Sequence, residues 1–327
     1  MNERFYSDRD IFTQGSSWHT ISISYCFESM RTAKFIGSKV IALFLIFALT
    51  SCFSRYLISE KQVREHYAKI PVKPEIKIIK NDTLSLCIAS VGVDTLPMLL
   101  LIHGAPGSLW GYMNIMDDSD LQKHYHIVSV DRVGYGKSRL KKRRFVTSID
   151  IQAKALLPVF SLNHSSQKVT VLGRSYGAPI AARIVSLVPD QVKELIMVSP
   201  VIDPEKEKFY WFSKWGRNSF VQLFLPGEFN TATAEKYSHS DELKKMLPVW
   251  ESITVPTTVI QGGNDWIADP ANLDFARRHI KSKRAQYIFL NNAGHMITFT
   301  HSAMIKEMLI KSLLFQDKIT AIDINGQ

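Results

Sequence analysis

From Pro74 onward, short apolar or β-branched runs alternate with longer segments of helical period. The runs predict strands over Glu75–Ile79, Leu84–Ser90, Met98–His103, His126–Val130, Lys168–Leu172, Glu194–Val198, Thr257–Gln261 and Gln286–Leu290. The longer segments predict helices over Ile149–Leu157, Tyr176–Val188, Pro270–Ile280 and Ser302–Phe315. Met98–Ile102 and Val169–Leu172 lack any inward/outward alternation, as expected of parallel strands covered on both faces. Strand and helix in alternation give an α/β class: a mostly parallel, eight-stranded sheet flanked by helices.

One connection is too long for a plain loop. Between Val198 and Thr257 the chain carries Phe209, Tyr210, Trp211, Phe212, Trp215, Phe220, Phe224 and Phe229. This stretch, 204–250, reads as a short helical cap inserted after the sixth predicted strand. Part of its aromatic set packs the cap itself, and the remainder is available to line a pocket beneath it. The core then comprises 74–203 and 251–316, with a tail over 317–327.

The pattern ahead of the core is different. Arg31, Lys34 and Lys39 precede ten uninterrupted apolar residues, Val40 to Leu49. Such a run is short for a transmembrane helix, which wants about 20 residues, and has the layout of a signal peptide. It closes on Leu49-Thr50-Ser51-Cys52, which resembles the lipobox of bacterial lipoproteins, where the cysteine is acylated and heads the mature chain. The expectation is a signal peptide over 30–51, lipidation of Cys52 and a tether or short helix over 52–73. Residues 1–29 read as an extension upstream of the true start at Met30. The protein is then an exported, membrane-anchored lipoprotein of a bacterial cell envelope; an uncleaved anchor or a buried helix is the alternative.

Composition narrows the classes. With 46% hydrophobic and 21% charged residues, the chain is neither disordered nor a disulfide scaffold, and three cysteines make no framework and no metal site. The formal charge of +10 comes without a zinc-finger, RRM or helix-turn-helix signature, so nucleic acid is not the expected partner. Six cations, Lys137, Arg139, Lys141, Lys142, Arg143 and Arg144, crowd into residues 137–144. They are a solvated loop or, in a tethered protein, a surface toward anionic headgroups.

The candidate chemistry sits at strand ends. Gly173-Arg174-Ser175-Tyr176-Gly177 follows one predicted strand and opens a helix, the context in which a G-x-S-x-G serine becomes a nucleophile on a strained turn. Gly173 and Gly177 permit that turn. His103-Gly104-Ala105-Pro106-Gly107 follows the neighbouring strand, so the backbone amides of Ala105 and Tyr176 are the candidate oxyanion donors, with His103 and Gly104 supporting the loop. His295, after the last strand, is the candidate base. Asp265, in the loop after Thr257–Gln261, is the favoured acid, and Asp203, after the preceding strand, is the competitor. Asp269 reads as a helix cap.

Together these residues resemble the α/β-hydrolase family over about Glu75 to Phe315. Asp131-Arg132-Val133-Gly134-Tyr135-Gly136-Lys137-Ser138 matches the family's D-x-x-G-x-G-x-S turn. The resemblance implies acyl transfer, since the family's dehalogenases and epoxide hydrolases carry aspartate where Ser175 stands. It implies a serine hydrolase that needs no cofactor and acts on small-molecule or lipid-like carboxylic esters. Two alternatives remain. The HGAPG loop is similar to the HGGPG of proline iminopeptidases, with Glu205, Glu207, Glu228 and Glu235 available to read a substrate amine; or the fold binds without turnover.

Overall fold

A computed structural model of the chain describes residues 58–143, 145–209 and 211–324. The expected upstream extension, the expected signal peptide and Cys52 lie outside the described residues. Among the described residues no helix is long and apolar enough to cross a membrane.

The sheet runs β1 (Glu75–Lys80), β2 (Leu84–Val91), β3 (Met98–Ile102), β4 (His126–Val130), β5 (Arg139–Leu140), β6 (Val169–Arg174), β7 (Val192–Val198), β8 (Thr257–Gly262) and β9 (Ala285–Leu290). Its spatial order is β1-β2-β4-β3-β6-β7-β8-β9, with β5 paired to β2. The pairs β1/β2, β2/β4 and β2/β5 are antiparallel, and every pair from β4 across to β9 is parallel. The sheet therefore has nine strands, one more than the eight expected. The extra strand, β5, is two residues long in a run of cations and carries no period of its own. Its pairing with Leu84 and Ser85 is a tertiary event.

Helices cover both faces. They are α1 (Glu60–Tyr67), α2 (Ser119–His124), α3 (Ile149–Leu156), α4 (Gly177–Leu187), α5 (Gly227–Glu251), α6 (Asn272–His279) and α7 (Ser302–Ile324). Strand β3 shows why its sequence is uniformly apolar: Leu100 and Ile102 enter one core with residues of α3, α4 and α6, while Leu99 and Leu101 enter the other with residues of α2 and α7. Both faces are dry.

Two segments bear on the expected boundaries. Within 52–73 the described residues form the short helix α1. Ser59 and Gln62 close a capping box at its start, and Val63 and Tyr67 are buried. The Tyr67 ring lies 5.6 Å from that of Trp110, and His66 Nε2 lies 2.6 Å from Asp117 Oδ2. Burying side chains of this size contributes about 1.5–3 kcal/mol each, enough to dock one short helix. At the other end, α7 continues past Phe315 through most of the expected tail to Ile324. No proline or glycine stands there before Gly326 to stop it.

The insertion between β7 and β8 is helical. A 3₁₀ segment at Trp211–Arg217 and a short helix at Ser219–Gln222 lead into α5. Phe209, Phe220 and Phe224 remain exposed on this cap. The buried stripe of α5 is polar through Asn230, Thr231, Glu235, His239 and Glu242, and apolar only from Leu243 to Trp250.

Candidate active site

Ser175 stands between β6 and α4 with φ +53°, a left-handed conformation that costs a non-glycine residue on the order of 1–3 kcal/mol. The surroundings hold it there. Its N–H donates to Val198 O at 3.0 Å. A Cβ on Gly177 would fall 2.3 Å from Ile102 O, and one on Gly173 would fall 2.5 Å from Gly177 O. The two glycines thus let α4 approach β3 and β6 closely enough to force the turn.

The loop after β3 lies directly against the serine. A Cβ on Gly104 would sit 3.0 Å from Ser175 Cβ and 3.5 Å from its Oγ. Two groups clamp this loop from behind. His103 Nδ1 is 2.7 Å from Gly104 O, and His103 Nε2 is 3.0 Å from the Arg132 N–H. Because that backbone N–H can only donate, Nε2 accepts and Nδ1 carries the proton. Burial, reinforced by the Arg132 charge, holds the His103 pKa well below the usual histidine range, so the ring is neutral. Arg132 then donates from Nε to His103 O and from Nη2 to Gly104 O, each at 3.0 Å. The carbonyl of the Gly104–Ala105 peptide is therefore held by two donors, and in a trans peptide the Ala105 N–H points the opposite way.

His295 and Asp265 are brought together. His295 Nδ1 lies 2.8 Å from Asp265 Oδ2, with the carboxylate fully buried and the imidazole nearly so. The other oxygen of Asp265 accepts the N–H groups of Ile267 and Ala268 at 2.9 and 2.8 Å. The loops after β8 and β9 are tied by Gly263 N–H to Leu290 O, 2.9 Å, and Asn264 N–H to Ala293 O, 3.0 Å. Asp203 is engaged elsewhere. Its Oδ1 accepts the Glu205 N–H at 2.9 Å and its own N–H donates to Asn272 Oδ1 at 2.8 Å. Among the described residues no hydrogen bond joins Ser175 Oγ to His295; such contacts commonly tighten only once substrate is bound.

Three features of this region were not legible as site components. Arg174, inside the G-x-S-x-G motif, is buried, and its Nη1 donates to Thr298 Oγ1 at 3.1 Å. Its guanidinium lies over the rings of Tyr112 and Phe299, and so braces the segment immediately after His295. The Arg132 guanidinium lies over the Tyr176 ring at 4.9 Å, and the His239 ring is 4.4 Å from it. Two of the cap carboxylates are already engaged. Glu235 accepts from Arg132, Tyr135 and Gln152, and Glu207 binds Lys236 and His239. The signal available for Arg174 and Arg132 was their position inside recognised motifs; their contacts are long-range.

Residues 97–252 match the family model described as the alpha/beta hydrolase fold, and the sheet order and elbow agree with it. The chain has the α/β-hydrolase fold. It is similar to meta-cleavage product hydrolase from Pseudomonas fluorescens, with TM-score 0.61 and 14% identity over 73% of this chain and 98% of that one. Naproxen esterase from Bacillus subtilis aligns with TM-score 0.55 and 19% identity, covering 76% and 94% of the two chains. A membrane phospholipase A, described as a bacterial virulence factor, aligns over 90% of this α/β-hydrolase-fold chain and 98% of its own, with TM-score 0.56 and 17% identity. Among relatives by sequence, the AB hydrolase superfamily protein YfhM of Bacillus subtilis is 18% identical, covering 72% of this chain and 97% of its own. The proline iminopeptidase PfmaB of Pestalotiopsis fici is 22% identical, covering 68% and 93%.

Proposed function

We propose that the protein is a serine hydrolase that cleaves carboxylic esters through an acyl-enzyme, without a cofactor. The observation that carries this reading is the buried Asp265–His295 hydrogen bond at the same sheet edge as Ser175 on its strained turn. With Nδ1 donating to Asp265, His295 Nε2 is left as the acceptor for the Ser175 proton. Ser175 Oγ attacks the ester carbonyl, His295 returns the proton to the leaving alcohol, and water repeats the sequence to release the acid. The amides of Ala105 and Tyr176 hold the developing oxyanion, each such donor being worth on the order of 10²–10³ in kcat. Arg132 and His103 act as positioning residues for the first of these amides.

The aminopeptidase alternative loses two of its four candidate amine readers, since Glu235 and Glu207 are committed to internal partners. This favours an ester over an aminoacyl amide. The exposed aromatics of the cap favour an apolar, lipid-like acyl or alcohol group. For location the proposal is export and lipid attachment at Cys52, tested by uptake of a palmitate analogue in a bacterial host.

The activity is tested by labelling with a fluorophosphonate, beside p-nitrophenyl esters of graded chain length and aminoacyl-naphthylamides. Labelling lost in Ser175→Ala, with ester turnover, supports the reading. A chain that does not label is a binding protein, and preference for the amides overturns the ester assignment.

A further inference from the structure

The basic run that the site does not use lies where the chain enters the fold. Lys137 Nζ is 3.7 Å from Glu60 Oε1, the first residue of α1, with both side chains largely exposed. Glu60 follows Cys52 by eight residues, a span of at most about 28 Å when fully extended. The basic loop thus approaches the start of α1, the described helix nearest in sequence to Cys52.

The same corner carries an apolar face. Strand β1 is the sheet edge, and Ile76, Ile78 and Lys80 alternate with Glu75, Lys77 and Ile79. Ile76 and Ile78 pair with Ala89 and Cys87, whose side chains lie in the core shared with α2 and α7, yet they are 45% and 54% exposed themselves. Lys80 pairs with Ser85, and Ser85 pairs on its other side with Arg139 of β5. The loop continues through exposed Lys141, Lys142 and Arg143, and Lys141 N–H donates to Thr83 O at 2.8 Å in the β1–β2 turn. Two exposed isoleucines and a rim of cations, with Glu60, Glu75 and Asp82 as exposed acidic residues in the same segments, make a composite surface of the interfacial kind.

We propose that this corner, formed by Ile76 and Ile78 of β1 and Lys80, Lys137, Lys141, Lys142 and Arg143 around them, docks on an anionic lipid bilayer. Charge complementarity selects the partner: each cation at a negative headgroup layer strengthens partition about fivefold, and the isoleucines enter the interface beside them. The short chain between Cys52 and Glu60 adds to this, because a lipid anchor at Cys52 would hold the start of α1 within about 28 Å of a bilayer. The orientation rests on the proposed anchor; the affinity of the patch for anionic lipid does not.

The test uses the full chain with phosphatidylcholine vesicles, alone or mixed with phosphatidylglycerol. Amide hydrogen exchange over 72–80 and 137–143 is expected to slow on the mixed vesicles only and to recover at high salt. In Lys141→Glu/Lys142→Glu/Arg143→Glu that slowing is lost, while hydrolysis of a water-soluble p-nitrophenyl ester is unchanged. Equal exchange on both vesicles, or slowing that the triple variant keeps, overturns the proposal. Flotation separates the anchor from the patch. A chain that floats with both vesicles is anchored, and the exchange data then decide. If it floats with neither at high salt, the anchor reading fails; flotation with the mixed vesicles at low salt, weakened on the order of a hundredfold in the triple variant, still supports the patch. No low-salt flotation in that case overturns it, as does retardation by duplex DNA without any effect of phosphatidylglycerol.

Discussion

Arg132 and Glu235 form a bidentate ion pair, 2.6 and 3.1 Å, in which neither side chain reaches solvent. Through the same guanidinium, cap helix α5 is joined to the carbonyls of His103 and Gly104. Breaking a buried pair by removing one partner leaves an uncompensated charge and costs about 3–5 kcal/mol. Glu235→Ala is therefore expected to lower the unfolding free energy by about that amount, read by urea denaturation. Replacing Arg132 and Glu235 together by Met and Leu recovers part of it. A change below about 1 kcal/mol in the single variant contradicts the pairing.

On the proposed mechanism Ser175→Ala and His295→Ala each reduce kcat by roughly 10⁴–10⁶-fold, because the proposed nucleophile and base act as one unit. Ser175→Ala keeps the parent's urea midpoint, whereas His295→Ala, which strips a hydrogen bond from the buried Asp265 carboxylate, lowers stability by about 1–3 kcal/mol. Asp265→Asn loses about 10⁴-fold through the wrong imidazole tautomer. Asp203→Asn, whose carboxylate caps the Glu205 N–H, leaves turnover close to that of the parent. If Asp203→Asn proves the more damaging change, the acid is misassigned.

His103 imposes a pH dependence on stability. Its folded pKa is depressed by burial and by Arg132, whereas in the unfolded chain it titrates at about 6.5. Between those two values the unfolded state binds the extra proton, so its contribution is full above the unfolded value and is lost as pH falls below it. The slope is about 1.4 kcal/mol per pH unit for one proton. His103→Gln removes that proton, and the difference between urea midpoints at pH 5 and pH 7 should shrink accordingly. An unchanged pH slope sinks the neutral-ring assignment.

Gly177→Ala would drive a Cβ to 2.3 Å from Ile102 O, backbone that cannot move aside. Loss of at least about 3 kcal/mol, or failure to fold, is expected. Gly227→Ala is the control: no atom lies within 4 Å of its Cβ, and the residue opens α5. There the change should stay within about 1 kcal/mol. Thermal unfolding of the two variants side by side measures the contrast.

The central strands were legible because burial on both faces writes itself into them locally: Met98–Ile102 has no polar position, and the cores on its two faces are both apolar. The elbow was legible for the same reason, since Gly173 and Gly177 answer to atoms that any strand–turn–helix of this kind brings near. Helix α5 shows where periodicity stops informing: its buried stripe carries Glu235, His239 and Glu242, so a hydrophobic pattern sees no face there. The docking of α1 depends on Trp110 and Asp117, and the third strand partner of β2 on two residues of a basic loop. Candidate residues at strand ends follow from local order along the chain. Which carboxylate lies beside His295, which cap glutamate meets Arg132 and which threonine receives Arg174 depend on how the loops of a twisted sheet converge. The amino-acid sequence by itself thus determined the elements and the residues able to do chemistry, whereas the tertiary structure decided their partners, because hydrogen bonds between groups 30 to 124 residues apart are selected by packing and leave no periodic trace.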